Sequence, residues 1–248
     1  MTRYRATLAY DGTHYQGFQR QAGDTPTIQG AVEKAIAQVT GQTAVVHGAG
    51  RTDSGVHATG QVIAFDVDWK HNDADLVRAI NAVLPDDIAL QSMTQQPGFH
   101  PRFDARWRSY QYTIIHADQP QPFWRMQAWH IRGPLDDDLL RWTARLLIGE
   151  HDFATFGNPP QGENTVRFIR QSEWTVHEEP FGQRLVYHVT GNAFLHHMVR
   201  RMVGMQVEVG RCQVLPAAFE AAFRAADLAQ AGKLAPPQGL VLECVHYA

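Results

Sequence analysis

The sequence predicts an α+β chain of two βαββαβ units, with mainly antiparallel sheets set side by side around a cleft. Two observations carry this. Strand-type and helix-type periodicities follow one another in the order βαββαβ over residues 3–93, and that order recurs after one extra strand in the remainder. Between the two runs, Gln95 to Asp104 contains Pro97, Gly98 and Pro101 and reads as a linker. A chain of 248 residues is long enough to bury two cores. The expected domains are residues 1–102 and 103–248.

Each element has its own signal. Arg3 to Tyr10 alternates as a strand, with Ala6, Leu8 and Tyr10 on one face. Thr25 and Pro26 read as an N-cap and first helical position. Ile28, Val32, Ala35, Ile36 and Val39 follow at helical spacing as far as Gly41. Strands over 43–47 and 61–68 enclose a polar loop. Asn72 and Asp75 open a second helix carrying Leu76, Ala79, Ile80 and Val83, ended by Pro85, and Ile88 to Met93 closes the half as a strand. This is the ferredoxin-like, or split βαβ, order.

In the second half Arg106 to His116 is a long strand and residues 127–131 a short one. A helix over 136–148 ends at Gly149, with Asp136, Asp137 and Asp138 complementing its positive end rather than binding a metal. Strands over 168–178 and 184–191 lead to helices over 194–209 and 216–231, the latter bracketed by Pro216 and Gly232. Leu240 to Tyr247 is the last strand. Asn158 to Asn164, with two prolines, reads as a long surface loop.

Composition narrows the class. At 44% hydrophobic and 19% charged residues this is an ordinary globular composition. No apolar run reaches the roughly 18 residues of a membrane span, and Met1 to Arg5 carries no signal-peptide core. Cys212 and Cys244 are too few for a disulfide framework and lack metal-site spacing. A cytoplasmic protein is expected. The net charge of −3 argues mildly against nucleic acid. Yet lysine occurs only at positions 34, 70 and 233, and arginines cluster at 102, 106 and 108, at 167 and 170, and at 200 and 201. Arginine suits phosphate recognition and base stacking. Such clusters on a near-neutral body fit RNA held in one cleft; the other reading is a compositional bias.

The chemistry concentrates in three places. Gly50-Arg51-Thr52-Asp53-Ser54-Gly55-Val56-His57 sets a carboxylate two residues after an arginine, with glycines on both sides. A neighbouring cation favours the charged form of a carboxylate. A charged Asp53 serves as nucleophile or base. The bland reading is a turn closed by a surface ion pair. Gly48-Ala49-Gly50 is not a dinucleotide fingerprint, because the third glycine position is Asp53 and a strand follows. No Gly-Lys-Ser/Thr occurs, and Asp53-Ser54-Gly55 lacks the first glycine of a hydrolase elbow.

The second place is Arg106 to Tyr112, where alternation sets Arg108, Tyr110 and Tyr112 on one face. Arginines interleaved with aromatics suit base stacking; the alternative is that the tyrosines are sheet core. The third is Asn192 to Gly204. Leu195, Met198, Val199 and Met202 form a helical stripe, with His196, Arg200 and Gly204 on a neighbouring face. A partly buried Arg200 needs a carboxylate, and Asp53 is the candidate. No metal site emerges: adjacent His196 and His197 diverge on a helix, and His151-Asp152 has no third ligand nearby.

Four stretches together resemble a known family. Asp11-Gly12-Thr13-His14-Tyr15-Gln16-Gly17-Phe18-Gln19-Arg20, Gly50 to His57, Ser109-Tyr110-Gln111-Tyr112 and Phe194 to Arg200 stand in the order and spacing of the tRNA pseudouridine synthase A family. Ala235 to Leu242 is similar to that family's ending, so the likeness spans the chain. The resemblance implies that Asp53 is the catalytic nucleophile and that Arg51 helps displace the base. It implies that Tyr110 packs on the target uracil and Arg200 pairs with the aspartate. It also implies uridine-to-pseudouridine isomerisation at positions 38, 39 and 40 of the tRNA anticodon arm, without cofactor or metal, by a homodimer. Ser54 departs from the alanine common there, which a turn tolerates. Breaking C1′–N1 and joining C1′ to C5 oxidises nothing, so a cofactor has no task. Two other classes stay open. One is a non-catalytic tRNA-binding or folding-chaperone protein; the other is a metal-dependent nuclease using Asp53, His57 and neighbouring acids.

Overall fold

In the computed structural model, which describes residues 1–159 and 162–248, the chain forms two units. These are residues 1–106 with 241–248, and residues 107–240. Pro160 and Gln161, within the expected 158–164 loop, lie outside the described residues. The class is mixed α+β with mainly antiparallel strands. No described helix is long and apolar enough to cross a membrane.

In the first unit, β1 (Thr2–Tyr10) pairs antiparallel with both β3 (His57–Val67) and β4 (Ile88–Gln95). The two-residue β2 (His47–Gly48) adds to β3 antiparallel. Ala6, Leu8 and Tyr10 alternate into the core, as predicted, and Tyr4 extends the same face. β3 is buried on both faces, which explains its unbroken Val62-Ile63-Ala64-Phe65 run.

Helix α1 (Ile28–Thr40) buries Ile28, Val32, Ala35 and Ile36 and stops at Gly41, left-handed at φ 70°. Its cap is Thr27, two residues later than predicted: Thr27 Oγ1 accepts from the Gly30 N–H at 3.2 Å, and Pro26 lies outside the helix. Helix α2 (Asp73–Asn81) starts as predicted, with Asn72 accepting from the Asp75 N–H at 2.8 Å. The strand expected over 43–47 contracts to β2. The Glu33 carboxylate takes the Val46 N–H at 3.0 Å, a side chain replacing the partner strand there.

The chain's last strand, β10 (Leu240–His246), joins β3 in parallel, with Val241 opposite His57. The expected boundary placed it with residues 103–248; from Val241 onward it groups instead with the first unit. The reasons are local. A Cβ on Gly60 would overlap the Glu243 carbonyl oxygen, so only glycine admits β10 here. Tyr247 donates its hydroxyl to the Pro101 carbonyl at 2.8 Å, and the Arg5 guanidinium lies 4.3 Å from the Tyr247 ring centroid.

The second unit's sheet runs β5 (Trp107–His116), β9 (Gly182–Gly191), β8 (Val166–Glu179), β7 (Gly149–Asp152), antiparallel throughout, with β6 (Trp129–Ile131) parallel to β5. Helix α3 (Asp137–Leu146) is capped by Asp136, whose Oδ1 accepts from the Asp138 and Leu139 N–H groups. Gly149 does not simply end α3: at φ 115° it opens β7, a strand the sequence did not announce.

Helices α4 and α5 are each several residues shorter than predicted. α4 (Met198–Gly210) begins four residues late, because His197 is left-handed at φ 63° and His196 bridges to Asn158. Leu195 and His196 therefore lie before the helix, and the predicted His196/Arg200/Gly204 face does not exist. α5 (Pro216–Ala225) stops at left-handed Ala226, well before Gly232.

Candidate functional site

The Asp53 loop belongs to the first unit and rests on the segment between β1 and α1. Thr52 is its buried anchor. Its Oγ1 lies 2.9 Å from the Tyr10 hydroxyl, and its carbonyl accepts from the Phe18 N–H at 3.0 Å. Gly17, at φ 90°, makes that approach possible: a Cβ there would come within 2.7 Å of the Thr52 carbonyl oxygen. Gly12 does the same on the far side, where a Cβ would overlap the Val56 carbonyl oxygen. The loop closes on itself through Val56 N–H to Asp53 C=O at 3.2 Å, and Gly55 N–H reaches the Tyr15 carbonyl at 3.3 Å. Asp53 is thus a half-buried side chain on a fixed backbone.

Arg51 projects from the same loop and is exposed. The alternative of a turn closed by an Arg51–Asp53 ion pair is not what the structure shows: among the described residues none joins the two. Gln61 fixes the loop's other end. Its Nε2–H donates to the Gly50 carbonyl at 2.7 Å, and its Oε1 accepts from the Gly50 N–H at 3.3 Å.

Acidic groups brace the supporting segment. Asp11 accepts from the Thr13 N–H at 2.9 Å and its hydroxyl at 2.5 Å. Burial raises the Asp11 pKa, but the Thr13 bonds and the His57 ring outweigh it, so the net shift is downward. His57 Nδ1 lies 3.0 Å from both the Gly12 nitrogen and Asp11. The Tyr15 hydroxyl donates to Asp87 at 2.6 Å; burial first, and then Asp87, push this phenol above its usual range.

The second unit carries Tyr110 and Arg200. Tyr110, 8% exposed on β5, meets Phe194 edge-on with ring centroids 5.1 Å apart. Arg200, 9% exposed on α4, donates from Nε to the Ala235 carbonyl at 2.8 Å, and the Ala235 N–H returns to the Arg200 carbonyl at 3.1 Å. Tyr112 is core, its hydroxyl donating to the Pro236 carbonyl at 2.8 Å. Burial pushes that phenol up, and nearby Arg200 partly offsets the shift. Arg201 reaches the Phe156 and His196 carbonyls, which holds the turn before α4. Arg170 lies over Trp107, whose ring meets Phe168 edge-on.

Sequence reasoning missed the supports: Tyr10, Gln61, and the Tyr15–Asp87 pair. Gln61 had a signal, a lone amide at the head of an apolar strand.

Comparison with known proteins gives the family. The profile of a family described as "tRNA pseudouridine synthase" matches residues 6–104 and 143–248. Both Asp53 and Arg200 fall in the matched stretches, while Tyr110 lies between them. The chain belongs to this family. It is 40% identical over 248 residues to the tRNA pseudouridine synthase A of Geobacter sulfurreducens, covering all of both chains. It is 39% identical to that of a Geobacillus species, over 99% of this chain and 98% of the other. The Neisseria gonorrhoeae protein of the same name is 39% identical, over 99% and 92%.

Proposed function

We propose that Asp53 carries the reaction of this tRNA pseudouridine synthase, acting on uridines 38, 39 and 40 of the anticodon arm. The observation that supports this most directly is the Asp53 loop. In a chain of this family, one carboxylate sits on a backbone that glycines 12 and 17 and the Thr52 anchors hold in place. The isomerisation breaks C1′–N1, turns the uracil and joins C1′ to C5; C5 gives up a proton and N1 gains one. Asp53 adds to C1′ or C6 as a nucleophile, or assists departure of uracil from C1′.

The target uridine must leave its stack, at a cost of about a few kcal/mol. Arg51, exposed beside Asp53, is assigned to displacing and replacing the base, Tyr110 to packing on the uracil, and Arg200 to pairing with the carboxylate. We read the working form as a cytoplasmic homodimer without cofactor or metal, and the two units as duplicated split βαβ halves. The first unit's strand neighbours, β4-β1-β3-β2, follow that order.

The test is purified protein with an unmodified tRNA transcript, scored for pseudouridine by position, with Asp53→Asn alongside. Pseudouridine at 38–40 that vanishes in the variant is expected. Binding without conversion by the wild type would instead indicate a tRNA chaperone, and strand cleavage a nuclease.

A further inference from the structure

Gln61 is completely buried in a strand of aliphatic and aromatic neighbours. A primary amide is expensive there unless its N–H and C=O both find partners. Gln61 finds both on one residue, Gly50, at 2.7 and 3.3 Å. The place is telling. β2 pairs with β3 at His47–Ala64 and Gly48–Ile63, and the Ala49 N–H still reaches the Val62 carbonyl at 2.8 Å. At Gly50 backbone pairing stops, and the Gln61 side chain takes the position of the next strand residue. Two residues later, Thr52 is fixed again by Tyr10 and Phe18. Arg51 is therefore a single residue held between two pinned neighbours, with its side chain exposed.

We propose that Gln61 is a positioning residue for base displacement: its amide pins Gly50 and so sets the direction in which Arg51 leaves the backbone. This rests on the reading of Arg51 given above. Without the clamp, the Gly50–Arg51 peptide can turn, and Arg51 samples poses that do not meet the displaced base. Binding of the tRNA body, which uses other arginines, is untouched. The effect belongs in the conversion step, and it disappears when Arg51 is already absent.

The experiment measures single-turnover pseudouridine formation, tRNA affinity and thermal melting for Gln61→Met, Arg51→Ala and the double variant. Gln61→Met keeps the side chain's length and loses both hydrogen bonds. Its conversion rate is expected to fall about 10-fold or more while the tRNA dissociation constant stays within about threefold. In the Arg51→Ala background the same change should cost less than about twofold. A second variant, Gln61→Glu, keeps the acceptor for Gly50 N–H and regains a donor only as the neutral acid. Its rate relative to wild type should therefore rise as pH falls.

Equal losses in both backgrounds, or an unchanged rate in Gln61→Met, would overturn the assignment. If neither Gln61 variant folds, the amide is a stability device and the positioning role is withdrawn. If Arg51→Ala is itself fully active while Asp53→Asn is dead, the fault lies in the reading of Arg51. If Asp53→Asn is active too, it lies in the proposed function.

Discussion

The Asp53 loop and the approach to α4 are both irregular backbone next to a charged residue, but they are built by opposite means. In the loop, the shape comes from missing side chains: Gly12 and Gly17 let two carbonyls approach where any Cβ would intrude. Before α4, the shape comes from a residue that resists it. His197 sits at φ 63° with a full side chain, helix α4 has no side-chain N-cap, Arg201 holds the turn through the carbonyls of Phe156 and His196, and Arg200 ties the first turn of α4 to the Ala235 carbonyl. A glycine-made loop is rigid through its backbone and tolerates change at its tip. A turn held by arginines depends on their charges. The difference predicts that Asp53 can be altered without unfolding the protein and that Arg200 cannot be altered so cleanly.

The largest effect tests that contrast at the tip. Asp53→Asn should lower pseudouridine formation by roughly a thousandfold or more, with melting temperature and tRNA affinity nearly unchanged. A folded variant that still converts uridine at close to the wild-type rate would refute the role of the carboxylate. Next comes Arg200→Met, which removes a buried guanidinium and leaves the Ala235 carbonyl without its 2.8 Å donor. Both conversion and stability should drop, the latter by about 1–3 kcal/mol in a urea titration. Unchanged stability would place Arg200 in the same category as Asp53 and dissolve the comparison.

The backbone itself can be probed with a matched pair. Gly17→Ala puts a Cβ against the Thr52 carbonyl at a φ of 90°, and should cost about 1–3 kcal/mol and slow turnover. His197→Gly suits the left-handed position better than histidine does and should leave stability within about 1 kcal/mol of wild type. The reverse ranking in parallel melts would contradict the glycine account.

The smallest effect concerns acid. Asp11 has a pKa lowered in the folded state, so its contribution to stability is complete above the ordinary aspartate value. It is lost as pH falls through the folded value. Asp11→Asn should therefore flatten the acid side of the stability–pH curve while leaving the alkaline side alone. An unaltered acid limb would mean that Thr13 and His57 contribute nothing through this group.

Much of the site was legible because its residues are distinctive where they stand. Glycines on both sides of Arg51 and Asp53 announced a tight loop, and Asn72 and Asp136 marked the helix starts they cap. What escaped was decided by contacts distant in sequence. Residues 194–197 fit a helical period, yet the His196 N–H donates to the Asn158 carbonyl at 2.9 Å, and no local pattern carries that bond. Glu33 similarly took the hydrogen bond that a strand over 43–47 needed. β7, Gly-Glu-His-Asp, is a short polar strand at the end of its sheet and shows no hydrophobic alternation at all. Tyr112 shares a face with Tyr110 in the sequence pattern and is core, the alternative the sequence left open; what the pattern could not show is the distant Pro236 carbonyl that takes its hydroxyl.

The return of residues 241–248 to the first unit has a consequence for how the protein is made. Strand β10 meets β3 at His57, directly after the Asp53 loop. During translation the loop, its glycine supports and the rest of that sheet emerge early, but the strand beside the loop's exit emerges only after residues 107–240. At elongation speeds of about 5–20 residues per second that interval is roughly seven to twenty-seven seconds. Throughout it, one side of β3 near His57 stands as an open edge, a nascent surface exposed to chaperones and to neighbouring chains on the same messenger.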